Sequence, residues 1–93
     1  MKRIKVKVII FENEEFYVKC FDGYEVNDNV SVYKFKNWWN TIDKNTGLSI
    51  TRSKTRQGAI DKFYDKANEY YRLLSSKRYH DLYFKYHSYI KED

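Results

Sequence analysis

Three observations place this 93-residue chain in the α+β class, with a small antiparallel sheet of three or four strands followed by two C-terminal helices packed on one face. Residues 3–11 alternate basic and apolar side chains, the period of two that marks a half-buried strand. From Thr55 onward apolar residues recur every three or four positions, the period of a helix face. No proline, repeat or low-complexity linker divides the chain. A chain of this size holds one domain, with the sheet over 1–51 and the helical part over 55–92.

The first strand turns Ile4, Val6, Val8 and Ile10 inward. Glu12 to Glu15 make a polar turn, and Phe16, Val18 and Cys20 then alternate with Tyr17 and Lys19 to close a hairpin. On its outer face Lys5 and Lys7 fall opposite Glu15 or Tyr17, a modest cross-strand contact. Asp22-Gly23 and Asn27-Asp28-Asn29 bracket a loop. A third strand starts at Val30 and runs to Ile42, with an irregularity near Lys36-Asn37. Lys44-Asn45-Thr46-Gly47 is a tight turn in which Gly47 supplies the positive φ of a bulged hairpin. Leu48 and Ile50 form the short fourth strand.

The helical stripe is Ala59, Ile60, Phe63, Ala67, Tyr70/Tyr71 and Leu74, with Thr55 as N-cap and Ser53 as the competing choice. The next apolar position, Tyr79, comes five residues after Leu74. That phase slip predicts a second helix from Lys77 to Lys91, capped by Ser75 or Ser76; one long bent helix is the alternative.

Composition limits the function classes. Aromatic residues make up 19% of the chain, ten of them Tyr. Such rings build a core from few residues, and Tyr also suits binding surfaces. The single cysteine, Cys20, reads as a small buried hydrophobe. Met1-Lys2-Arg3 leads into charged alternation instead of an apolar leader, and no apolar run approaches the roughly 20 residues of a membrane span. The expectation is a cytoplasmic protein that does not engage a membrane. Net charge is +5, with ten Lys/Arg against six Asp/Glu after residue 50 and near balance before it. That asymmetry points to an acidic partner.

Catalytic and metal constellations are missing from the pattern. His80 and His87 lie seven apart on one helix, about 10 Å along the axis, too far to share one metal ion. Cys20 has neither a CxxC spacing nor a nearby His, and no nucleophile elbow surrounds any Ser. Gly23, Gly47 and Gly58 are isolated, which excludes phosphate-loop and dinucleotide fingerprints. The sequence points to a non-enzymatic binding protein without metal or cofactor.

Three features suit binding. Arg52-Ser53-Lys54-Thr55-Arg56 is the densest basic run and sits where the first helix starts. Cations there oppose the helix dipole, at a cost of about 0.3–1 kcal/mol each when exposed. Arg52, Lys54, Arg56 and the Thr55 hydroxyl would suit a phosphate or carboxylate near the free N–H groups of that turn. Trp38 and Trp39, adjacent in a strand, must point to opposite faces. An indole left exposed beside Lys34 and Lys36 would be a stacking platform for bases or a protein anchor. Finally, Tyr79, Tyr83, Phe84, Tyr86 and Tyr89 occupy more than one face of the last helix, more than docking on a sheet requires. A homodimer seam or a partner groove would use the surplus.

Residues 38–60, from Trp38 to Asp43 through Thr46-Gly47-Leu48-Ser49-Ile50 and Ser53-Lys54-Thr55 to Ala59-Ile60, resemble a hairpin-to-helix segment of small phage and plasmid proteins. Among such proteins are inhibitors of host immunity, including anti-CRISPR proteins. The hairpin followed by Thr-x-x-x-Ala-Ile is also similar to the HicB antitoxin family, whose acidic residues at the helix start are here replaced by Arg56-Gln57-Gly58. The first resemblance implies a mobile-element accessory protein that binds and occludes a nucleic-acid-handling host protein or ribonucleoprotein complex. The second implies a DNA- or RNA-binding regulator, dimeric through the last helix. A structural phage component is a third expectation.

Overall fold

The computed structural model describes residues 1–90 as five strands followed by three helices. Strands β1 (Arg3–Glu12), β2 (Glu15–Glu25), β3 (Val30–Phe35), β4 (Trp38–Asp43) and β5 (Ser49–Ser53) lie side by side in chain order, all antiparallel. Helices α1 (Arg56–Asp65), α2 (Ala67–Leu73) and α3 (Lys77–Ile90) follow. The α+β class is as expected; the element counts are not. Lys91 and residue 92, expected to end the last helix, lie outside the described residues.

The single strand expected from Val30 to Ile42 is two. Lys36-Asn37 form a two-residue turn that pairs Phe35 with Trp38. Lys36 takes φ 57° there, a conformation usually left to glycine, so the turn carries no glycine signal. The helical part likewise breaks twice. α1 stops at Lys66, whose N–H turns back to the Phe63 carbonyl at 3.0 Å, and α2 follows directly. Thr55 caps α1, its hydroxyl accepting from the Gly58 N–H at 3.0 Å. Ser76, not Ser75, caps α3 by accepting from the Tyr79 N–H at 3.1 Å.

β1 and β2 pair from Arg3 opposite Tyr24 to Glu12 opposite Glu15, around Asn13-Glu14, both at positive φ (53° and 66°), as a type I′ turn requires. This register sets Lys5 against Asp22 and Lys7 against Cys20, not against Glu15 or Tyr17. The Lys5 ammonium, 2.5 Å away, holds the Asp22 carboxyl below its ordinary value. β2 also runs unbroken through Gly23, where a loop was expected.

Gly23 has a packing role instead. β2 pairs with β3 only over residues 23–25, so the rest of the first hairpin peels away and folds over the sheet. A Cβ at residue 23 would lie 2.5 Å from the Val32 carbonyl oxygen and 2.7 Å from Val6 Cγ2. The fold-over buries Val6, Val8, Tyr33 and Ile42 in a core on the concave face, bordered by Ile4, Ile10, Phe21 and Phe35. It also brings the Ile9 N–H to the Gly47 carbonyl at 2.8 Å. The first strand thus arrives beside the last hairpin, and a seam remains between β1 and β5.

The helices cover the other face, as expected. α1 and α2 lay Ala59, Ile60, Phe63 and Tyr70 on Val30 and Val32. α3 sets Tyr86, Ile90 and Leu82 on Ile9, Phe16 and Val18. Its footprint ends there, which leaves Cys20 exposed and corrects its reading as a buried hydrophobe. A bulge between β4 and β5 pairs Thr41 with Thr51 but Ile42 with Ser49. The extra residue, Ile50, joins the helix-side core, and Ser49 is released toward the concave face.

Candidate nucleic-acid interface

The basic and aromatic residues singled out in the sequence gather at one end of the sheet, on both of its faces. On the concave face Asn40 of β4 lies directly across from Arg52 of β5. Trp38, two residues along β4, points the same way by strand alternation. Its half-buried ring carries the Arg52 guanidinium at 4.5 Å and the Lys54 ammonium at 4.0 Å from a ring centroid. Lys36, in the adjoining turn, lies 5.4 Å from the Phe35 ring, and Lys19 of β2 lies 5.5 Å from the same ring. Each such pair contributes about 0.5–1 kcal/mol at an exposed site and holds the cation in place.

On the helix face Trp39 packs against the cluster of Val32, Ala59 and Ile60. Arg56, the first residue of α1, sits over Tyr24 at 4.6 Å and Trp39 at 6.0 Å. Lys34 pairs with Trp39 across β3 and β4 and so projects on this side. The two indoles therefore point to opposite faces, as adjacent strand residues must, and neither is fully enclosed.

This geometry corrects the expected anion site at the start of α1. Arg52 and Lys54 stack on one face of the sheet while Arg56 stacks on the other, so the three cations do not converge on the helix N-terminus. The Thr55 hydroxyl is committed to the Gly58 N–H. A Cβ at Gly58 would stand 2.5 Å from Ser53 Oγ, so that hydroxyl already crowds the first turn. What the sequence read as a point is a basic ridge wrapped around the sheet end. Among the described residues the ion pairs are Lys5–Asp22 and Lys44–Glu25, and neither involves the ridge.

The expected tyrosine surface is also divided. Tyr79 and Tyr86 are buried, at 8% and 4% exposure, and take no part in any surface. Tyr89 is exposed against Phe16, and Tyr83 stacks on His87 at 4.2 Å. The fully outward aromatic on α3 is Phe84, 84% exposed.

One polar cluster escaped the sequence reading altogether. Asp43, 3% exposed, accepts hydrogen bonds from the Tyr70 and Tyr79 hydroxyls and from both the backbone N–H and the hydroxyl of Thr46. Burial, and then the Asp43 carboxylate, push both tyrosine hydroxyls far above their ordinary pKa. Such hydroxyls stay protonated and act as donors, pinning α2 and α3 to the end of β4. With its acceptor sites occupied from within, Asp43 reads as a fastener. Lys19 and Ser49 were missed for another reason: only the folded-over hairpin and the β5 bulge bring them to the concave face.

No protein family, curated protein or solved structure matches this chain. Among the described residues no helix is long and apolar enough to cross a membrane, and no three His, Cys, Asp or Glu side chains are grouped to hold a metal ion.

Proposed function

We propose that this chain is a non-enzymatic module that binds nucleic acid through the basic–aromatic ridge at the β4–β5–α1 end of the sheet. One observation carries the reading. Arg52, Lys54 and Arg56 are ordered on half-buried rings without an acidic partner in any described ion pair. Cations held this way keep their charge available at little further entropic cost, which suits a phosphate backbone. The biological setting in keeping with the hairpin-to-helix resemblance is a mobile-element protein. By seizing the nucleic acid of a host complex, it would occlude that complex in the manner of an anti-CRISPR inhibitor.

A second reading, occlusion by protein contact alone, draws on the outward Phe84 of α3. Salt titration separates the two. Binding of a labelled single-stranded oligonucleotide should weaken steeply with salt. In R52E/K54E/R56E the log–log slope should fall by about 2 in magnitude, at roughly 0.7 for each phosphate no longer neutralised. The first turn of α1 holds no acidic residue, so R56E places a charge that the helix dipole favours and the variant should fold. An unchanged slope and affinity in that variant would refute the ridge as a nucleic-acid surface.

A further inference from the structure

The seam between β1 and β5 opens into a cleft of about 490 Å³ on the concave face, within the usual range for a small-molecule site. One wall is formed by residues 9–11 of β1 and the other by Trp38, Asn40, Ser49 and Arg52. Tyr33 and Phe35 lie between them. β1 and β5 are the terminal strands of the sheet order, so among the described residues each turns toward the seam an edge that no sixth strand pairs. The Asn40 amide is oriented by its Nδ2 donating to the Trp38 carbonyl at 3.2 Å. The Tyr33 ring and the Ser49 side chain line the cleft beside it. Flat apolar walls, a few fixed polar groups and backbone edges are what a planar heteroaromatic ring needs.

Charge selects the occupant. Among the described residues no Asp or Glu lines this cleft, and Arg52 and Lys36 stand in its rim with Lys54 beside them on Trp38. Two other cavities differ. The one under α2 and α3 contains Asp43 and Glu69, and in the one beside Lys2, Lys5 and Lys44 two lysines are already paired with Asp22 and Glu25. We infer that the β1–β5 cleft takes one unstacked base of a single-stranded nucleic acid while Arg52, Lys54 and Lys36 hold the flanking phosphates. This rests on the nucleic-acid reading above and adds to it a preference for single strands, because a paired base cannot enter.

The test compares three probes of equal length: an oligothymidylate, an abasic deoxyribose-phosphate strand and a duplex. Stacking and burial of one base should make the thymidylate bind about tenfold tighter than the abasic strand, and tighter than the duplex. N40L, which fills the cleft and removes its amide, should erase that gap while leaving abasic affinity and its salt dependence intact. If N40L fails to fold, S49L on the same wall is read in its place. Equal affinity for thymidylate and abasic strands, both salt-dependent, overturns the base cleft and leaves the ridge reading standing. A full gap retained in the folded variant places the base elsewhere and overturns the assignment. Absence of binding to all three probes removes both readings.

Discussion

Asp43 is the residue on which the C-terminal half turns. Its carboxylate gathers donors from 3, 27 and 36 residues away, so the β4–β5 turn, α2 and α3 meet at one side chain. Replacing it with Asn keeps the shape but removes the charge and one acceptor, and turns an N–H toward hydroxyls that themselves donate. D43N should lose about 2–4 kcal/mol of stability, measured by urea denaturation. A loss below about 0.5 kcal/mol, the scale of an ordinary surface substitution, would mean the cluster is ornamental. Nothing in the sequence announced this residue, because an Asp before Lys-Asn-Thr-Gly reads as ordinary turn chemistry and its tyrosine partners read as helix apolar positions. The indoles were legible for the opposite reason: strand alternation is local, and it fixed Trp38 and Trp39 on opposite faces before any tertiary contact was known.

Elements with strong local period were equally readable: β1, the stripe of α1 and the caps Thr55 and Ser76. Of the hairpin turns, Glu12–Glu15 and Lys44–Gly47 were readable too, while Lys36-Asn37 was not, and here the physical cause is specific. Asn13, Glu14 and Lys36 take positive φ although none is glycine, so two of the hairpin turns lack their usual punctuation. One consequence is the misreading of β3 and β4 as a single strand. Another is stored strain, since a left-handed conformation costs an ordinary L-residue about 1–2 kcal/mol. E14G should therefore raise stability by about 0.5–1 kcal/mol, net of the extra flexibility glycine gives the unfolded chain. Thermal melting followed by circular dichroism measures this, and a lowered midpoint would count against it.

For the molecule as a whole, pH dependence follows from Tyr70 and Tyr79. Unfolded, each ionises near 10.0; folded, each holds its proton to a distinctly higher pH. Above pH 10 the native state thus binds more protons than the unfolded one, and stability must fall as pH rises further. The melting temperature should show no loss from these two groups up to about pH 9 and should drop steeply beyond about pH 10. Y70F/Y79F should flatten that alkaline limb, and an unchanged limb would locate the effect elsewhere. The curl of the sheet was the least legible property, since a one-sided sheet and a folded-over one share the same alternation. Only Gly23, read as a loop marker, gave a trace of it. The curl has a bearing on synthesis as well. Ile9 is covered by Tyr86 and Ile90 and bonded to Gly47, so β1, synthesised well before α3, waits for that helix before its apolar side has a roof. During that wait it is a candidate client for chaperones.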